Sequence, residues 1–89
     1  MPLVRIPTPL RPHAGGNDSA QADGSTVGEV LNALTSAYPE LRSRLFDGED
    51  LRRFVNVYVN NEDIRFLEDL DTPVATADEV SIIPAVAGG

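Results

Sequence analysis

Phe54-Val55-Asn56-Val57-Tyr58-Val59-Asn60 alternates between valines and larger or polar side chains. Successive residues of a strand point to opposite faces, so Val55, Val57 and Val59 share one face and Phe54, Asn56, Tyr58 and Asn60 share the other. This is the best strand in the chain, and its valine face needs a cover. Upstream, Val27, Val30, Leu31, Leu34 and Tyr38 fall at i, i+3, i+4, i+7 and i+11, the single apolar stripe of a helix. Ser25 and Thr26 open that helix, and Thr26 with Glu29 has the spacing of a capping box. One striped helix and one valine face bury each other as two layers.

Shorter elements extend the pattern. Leu3 to Ile6 reads as a first strand, stopped by Pro7, Pro9 and Pro12. Thr8 to Gly24 is loop-like; within it Ser19 to Asp23 is short enough to form a second, hairpin-paired strand, the alternative being one long surface loop. Pro39 ends the helix or restarts it as a short turn, with Leu41 and Leu45 extending the buried side. Gly48, Glu49 and Asp50 mark a surface loop. Asn60 and Asn61 supply a turn, Ile64 to Phe66 a short return strand, and Leu67 to Ala77 a loop. A last strand covers Val80 to Ile83 and stops at Pro84. The expected class is α+β, a mixed sheet packed on one main helix. Order and size are those of a β-grasp (ubiquitin-like) roll over residues 1–84, with 85–89 as a flexible tail.

Composition narrows the function. The 89 residues suit one small domain, which buries only about 60% of the surface its unfolded chain exposes, so a deep private catalytic pocket is not expected. Seven basic residues, all Arg, stand against fourteen acidic ones, for a formal charge of -7. Such a chain is a poor partner for nucleic acid or anionic membranes. With no Cys and one His, thiolate metal sites and the usual nucleophilic triads lack their parts. No metal site and no catalytic side chain are expected. The N-terminus lacks the layout of a signal peptide, which makes the cytoplasm the default address.

Chemistry concentrates in the closing residues, Pro84-Ala85-Val86-Ala87-Gly88-Gly89. Two closing glycines arise by chance about 0.5% of the time at ordinary glycine usage of about 7%. A frayed terminus of small residues is the plain alternative. A glycine carboxylate has no Cβ to obstruct attack on its carbonyl, and paired glycines let the chain enter a narrow cleft. Such a terminus suits activation by another enzyme.

The tail, the element order and the size together resemble the ThiS/MoaD family of ubiquitin-like sulfur carriers. The resemblance covers essentially the whole chain. Its most specific segments are Arg5-Ile6-Pro7-Thr8, Leu10-Arg11-Pro12-His13, Arg53-Phe54-Val55-Asn56-Val57-Tyr58-Val59-Asn60 and Ile83-Pro84-Ala85-Val86-Ala87-Gly88-Gly89. These look most like the CysO-type branch that serves cysteine biosynthesis. Molybdopterin-synthase small subunits share the Pro-x-Val-x-Gly-Gly ending, so the tail alone does not separate the branches.

The resemblance implies that an E1-like enzyme spends ATP to adenylate the Gly89 carboxylate. Sulfide, or a persulfide from a sulfurtransferase, then leaves a thiocarboxylate, with Gly88, Ala87 and Val86 as the tail that enters the cleft. No cofactor is bound by the carrier. A cysteine synthase receives the sulfur and a metallohydrolase releases cysteine. Some relatives need trimming beyond the second glycine; this chain, ending at Gly89, is expected to be ready as translated. Other acceptors stay open, among them the molybdopterin precursor or another sulfur-containing metabolite. So do a modifier forming isopeptide bonds and a non-covalent binding module.

With the valine face on the helix, Phe54, Tyr58 and Ile83 are expected to form an exposed apolar patch beside the tail, a partner interface. The absence of Lys leaves an activated terminus no amine on the carrier or its copies except the N-terminal one, although a GC-rich genome favouring Arg codons accounts for the same absence. His13 reads as a surface or loop-packing residue. Glu62, Asp63, Glu68, Asp69, Asp71, Asp78 and Glu79 read as solvated faces able to steer the chain toward basic clefts. Arg52-Arg53 is too short to suggest phosphate binding, and Gly15-Gly16 is a turn.

Overall fold

The computed structural model of the chain describes residues 1–84, apart from the side chain of Pro84; the segment 85–89 lies outside the described residues. A five-stranded mixed sheet carries the fold. Its strands are β1 (Leu3–Arg5), β2 (Ser19–Gln21), β5 (Val55–Val59), β6 (Glu62–Asp63) and β7 (Glu79–Pro84), in the order β2-β1-β7-β5-β6. Strand β7 is central: it runs parallel to β1 and antiparallel to β5.

The alternation in β5 translates directly into burial. Val55, Val57 and Val59 are buried while Asn56 and Tyr58 are half-buried on the opposite face. Val57 pairs with Ile82 and Val59 with Val80, so both strands turn their β-branched residues inward together. Val4, opposite Val80, joins that face from β1.

Against it lies α1 (Val27–Ala37), burying Val27, Val30, Leu31 and Leu34. Each such side chain contributes about 1.5–3 kcal/mol on leaving water. Half of the expected capping box forms: the Glu29 amide donates to Thr26 Oγ1 at 3.2 Å, while the Glu29 carboxylate accepts at 2.8 Å from the amide of Ser25, one residue before the N-cap, rather than from Thr26. Pro39 restarts the helix rather than ending it. Tyr38, held out of helical geometry by the following proline, separates α1 from α2 (Pro39–Leu45), which buries Leu41 and Leu45.

Several boundaries differ from the sequence reading. Thr8–Ala14 is a 3-10 helix rather than open loop, burying Leu10 and Ala14; the fixed φ of its prolines suits the helical turn. Strand β2 stops at Gln21, two residues short of the expected end, where the Ala22 amide turns to the Pro2 carbonyl. Two-residue strands β3 (Phe46–Asp47) and β4 (Asp50–Leu51) form a small hairpin where only a loop is expected, with Gly48 at φ +68 in its turn.

Asn60 (φ +48) and Asn61 (φ +75) build the anticipated tight turn, both in the left-handed region that primed hairpin turns require. The return strand is Glu62–Asp63, not Ile64 to Phe66. The Asp63 carboxylate accepts the Arg65 amide at 2.9 Å and winds Ile64–Phe66 into a 3-10 turn. That turn buries Ile64 and leaves Phe66 87% exposed. The last strand starts one residue early and includes Pro84, opposite Val55.

Candidate functional site

The parallel β1–β7 pairing and the antiparallel β5–β7 pairing place Pro84, the last described residue, at the end of the sheet where β1 finishes and β5 begins. Pro84 itself is paired on the β5 side alone, opposite Val55, since the β1 pairing ends at Arg5 and Ser81. Gly89, Gly88, Ala87 and Val86, the residues of the expected tail, lie outside the described residues.

On the sheet face turned away from α1, Asn56 stands opposite Ile83 and Tyr58 opposite Ser81. Tyr58 and Ile83 are thus diagonal neighbours across one strand pair, a separation within reach of an aromatic ring. Ile83 is 45% exposed, and Phe54, in the turn just before β5, is 46% exposed. The structure brings Tyr58 and Ile83 onto one face and leaves Phe54 at its margin.

Two surface clefts flank this root. On the β1 side, a shallow depression of about 380 Å³ is lined by Arg5, Pro7, Arg11, Asp18 and Ile83 among others. On the β5 side, a cleft of about 350 Å³ is lined by Arg52, Arg53, Val55, Asn56 and Arg65 together with Asp50 and Asp63. Several of these guanidiniums are anchored. Arg11 Nε donates to the Ile6 carbonyl at 3.1 Å, Arg52 Nε to the Ser43 carbonyl at 2.8 Å, and Arg5 Nε to the Glu79 carboxylate at 2.9 Å. Sequence reasoning missed this gathering of arginines. Residues 5 and 11 lie far from 52 and 53 along the chain, and only the strand register unites them.

Asp63 is a correction to the solvated acidic face. It is buried, and Arg65 Nη2 donates to its Oδ2 at 2.8 Å. The hydrogen bonds from the Arg65 side chain and amide hold its carboxyl below the ordinary carboxylate range. Asp78 is also lowered, by the Ala75 amide and then the Asn60 side chain. His13 packs in its 3-10 helix with Nδ1 3.6 Å from Glu40 Oε2. Among the described residues no group of three His, Cys, Asp or Glu converges on a metal position. No described helix is long and apolar enough to cross a membrane. Among the described residues the arrangement provides a firm scaffold, an outward apolar pair and an arginine-flanked root.

Comparison with known proteins locates this architecture. The model of the ThiS family matches residues 4–89. The sulfur carrier protein CysO of Mycobacterium tuberculosis is 51% identical over 89 residues, 97% of this chain and 96% of that protein. A chain of the Amycolatopsis orientalis BexX/CysO complex superposes with a TM-score of 0.93 at 46% identity, covering all of both chains. Small archaeal modifier protein 1 of Methanosarcina acetivorans superposes with a TM-score of 0.88 at 34% identity, covering 98% of this chain and 94% of that one. The β-grasp architecture expected from element order is therefore present, in a setting of sulfur carriers and protein modifiers.

Proposed function

The chain belongs to the ThiS family, and from that premise we propose that it is a sulfur carrier whose Gly89 carboxylate is the reacting group. The observation that carries the reading is near-full-length identity of 51% to a CysO sulfur carrier. The chain is a carrier rather than a catalyst. Its part is to present a carbonyl without a Cβ to an enzyme that supplies the chemistry.

A free carboxylate resists attack because its leaving group would be oxide. An adenylating enzyme transfers AMP from ATP to the Gly89 oxygen and releases pyrophosphate. Hydrosulfide then adds to the carbonyl carbon and expels AMP, leaving the C-terminal thiocarboxylate. Val86, Ala87 and Gly88 form the slim lead into the activating cleft. Phe54, Tyr58 and Ile83 form the surface against which the activating enzyme docks. The occurrence of a related chain in the BexX/CysO complex supports the docking of such a carrier on a partner protein. We place the protein in the cytoplasm, where ATP is available.

Cysteine is the destination the CysO likeness favours. In that route the thiocarboxylate sulfur attacks the β-carbon of an activated serine held by a cysteine synthase, displacing its leaving group. A metallohydrolase then cleaves the carrier from cysteine. The decisive experiment supplies thiocarboxylated carrier to such a synthase with O-phosphoserine. A covalent carrier–cysteine adduct, seen by intact mass, is expected. Absence of the adduct, with sulfur instead reaching a molybdopterin precursor, would move the destination to that branch.

The likeness to small archaeal modifier protein 1 favours a second reading, transfer of the same activated terminus to target lysines. It predicts adducts larger than the carrier on a denaturing gel, lost when Gly89 is deleted.

A further inference from the structure

The side chains that most readily attack an activated acyl group are amines, thiols and imidazoles; hydroxyls are weak nucleophiles without an adjacent base. Among the 89 residues there is no Lys and no Cys. All seven basic residues are Arg, whose guanidinium stays protonated and offers no free lone pair. The one imidazole, His13, has a side chain only 24% exposed and faces Glu40. These absences coincide with a terminus that, on the function proposed above, is turned into an acyl donor.

Geometry closes the remaining route. Strand β1 runs parallel to β7 with Leu3 opposite Glu79, so Met1 precedes the sheet at the end remote from Pro84. At the rise of a strand, about seven residues and roughly 23 Å separate an amine at Met1 from Pro84. The five residues 85–89 span at most about 17 Å when fully extended. The chain's own end cannot reach that amine.

We infer that this protein is a one-way acyl donor: it gives up its activated Gly89 carbonyl to partners and carries no side chain able to take it back. The activated carrier does not close on itself, and copies do not link into chains through side chains. Any adduct it forms through a side-chain amine or thiol is therefore on a different protein. This insulation rests on the proposed activation of Gly89, but its chemistry can be examined separately.

The test prepares the full chain as a C-terminal thioester by intein cleavage with a small thiol, so that no activating enzyme is needed. Wild-type protein is compared with Arg53→Lys and Arg5→Lys, which place an amine on either flank of the root. Attack by the lysine forms an amide and releases the small thiol, giving a product lighter than the hydrolysed carrier by one water. Wild type is expected to yield hydrolysed carrier only. At least one lysine variant is expected to form the internal amide about tenfold faster than wild type or more, since proximity raises effective concentration. Peptide mapping would place that amide at the new lysine, and thermal melting would confirm folding. Internal amide or carrier dimers from wild type at the variants' rate would overturn the inference. So would folded variants that both stay linear. Failure of enzymatic thiocarboxylation would count against the proposed function and leave this result standing.

Discussion

Val55 and Pro84 face each other as the last pair of the β5–β7 ladder. The described chain therefore ends on the central strand, not at an edge. Pro84 has no amide hydrogen, and proline is tolerated at a strand end where pairing finishes. On the β1 side the pairing has already stopped at Arg5 and Ser81, so the missing donor costs no second ladder bond.

The layers beneath that root depend on α1. Leu34 is 1% exposed against the valine face. Leu34→Ala should lower unfolding free energy by about 2–5 kcal/mol, the range for emptying a leucine site in a packed core. Chemical denaturation checks this, and an unchanged midpoint would mean that the helix does not supply the core.

The Thr26 cap makes a smaller, local contribution. Thr26→Ala removes the acceptor of the Glu29 amide and should cost about 1 kcal/mol. For a domain of this size that is about 4–8 °C in melting temperature. Thr26→Ser should restore most of it.

Acid sensitivity should trace to Asp63 and Asp78. Both carboxyls are held below the ordinary carboxylate range in the folded chain, Asp63 through Arg65 and Asp78 through the Ala75 amide and Asn60. A depressed carboxyl stabilises the fold above its unfolded value, and that contribution fades as pH falls through the folded one. Denaturation midpoints should therefore decline as pH drops below about 4. Asp63→Asn should be less stable at neutral pH and show a shallower decline in acid.

The outward pair is a different matter. Tyr58→Ala and Ile83→Ala lie off the core and should change stability by only about 0.5 kcal/mol. If the pair docks the activating enzyme, conversion to thiocarboxylate should slow by about tenfold for each ~1.4 kcal/mol of lost contact. Folded variants activated at the wild-type rate would remove Tyr58 and Ile83 from the interface.

Much of this protein was legible in the sequence, for reasons specific to each element. In β5 and α1 the spacing of apolar residues matches the period of the structure, so Val55 to Val59 and Val27 to Leu34 announce both element and buried face. Phe46–Asp47 and Asp50–Leu51 are too short to display any period. Ile64 to Phe66 looks like a strand until Asp63 is seen capping a turn, a choice made by one side chain. Arg5 and Arg11 meet the root also flanked by Arg52 and Arg53 only through strand register, which no local pattern carries. The reacting role proposed for Gly89 rests on residue chemistry and family resemblance, not on shape.

The most direct test of the carrier function is the intact mass of the protein after incubation with ATP, a sulfide source and its adenylating enzyme. A gain equal to one oxygen replaced by sulfur is expected, and it should vanish when Gly89 is deleted. An unchanged mass, with the enzyme proven active on another carrier, would contradict the sulfur-carrier account.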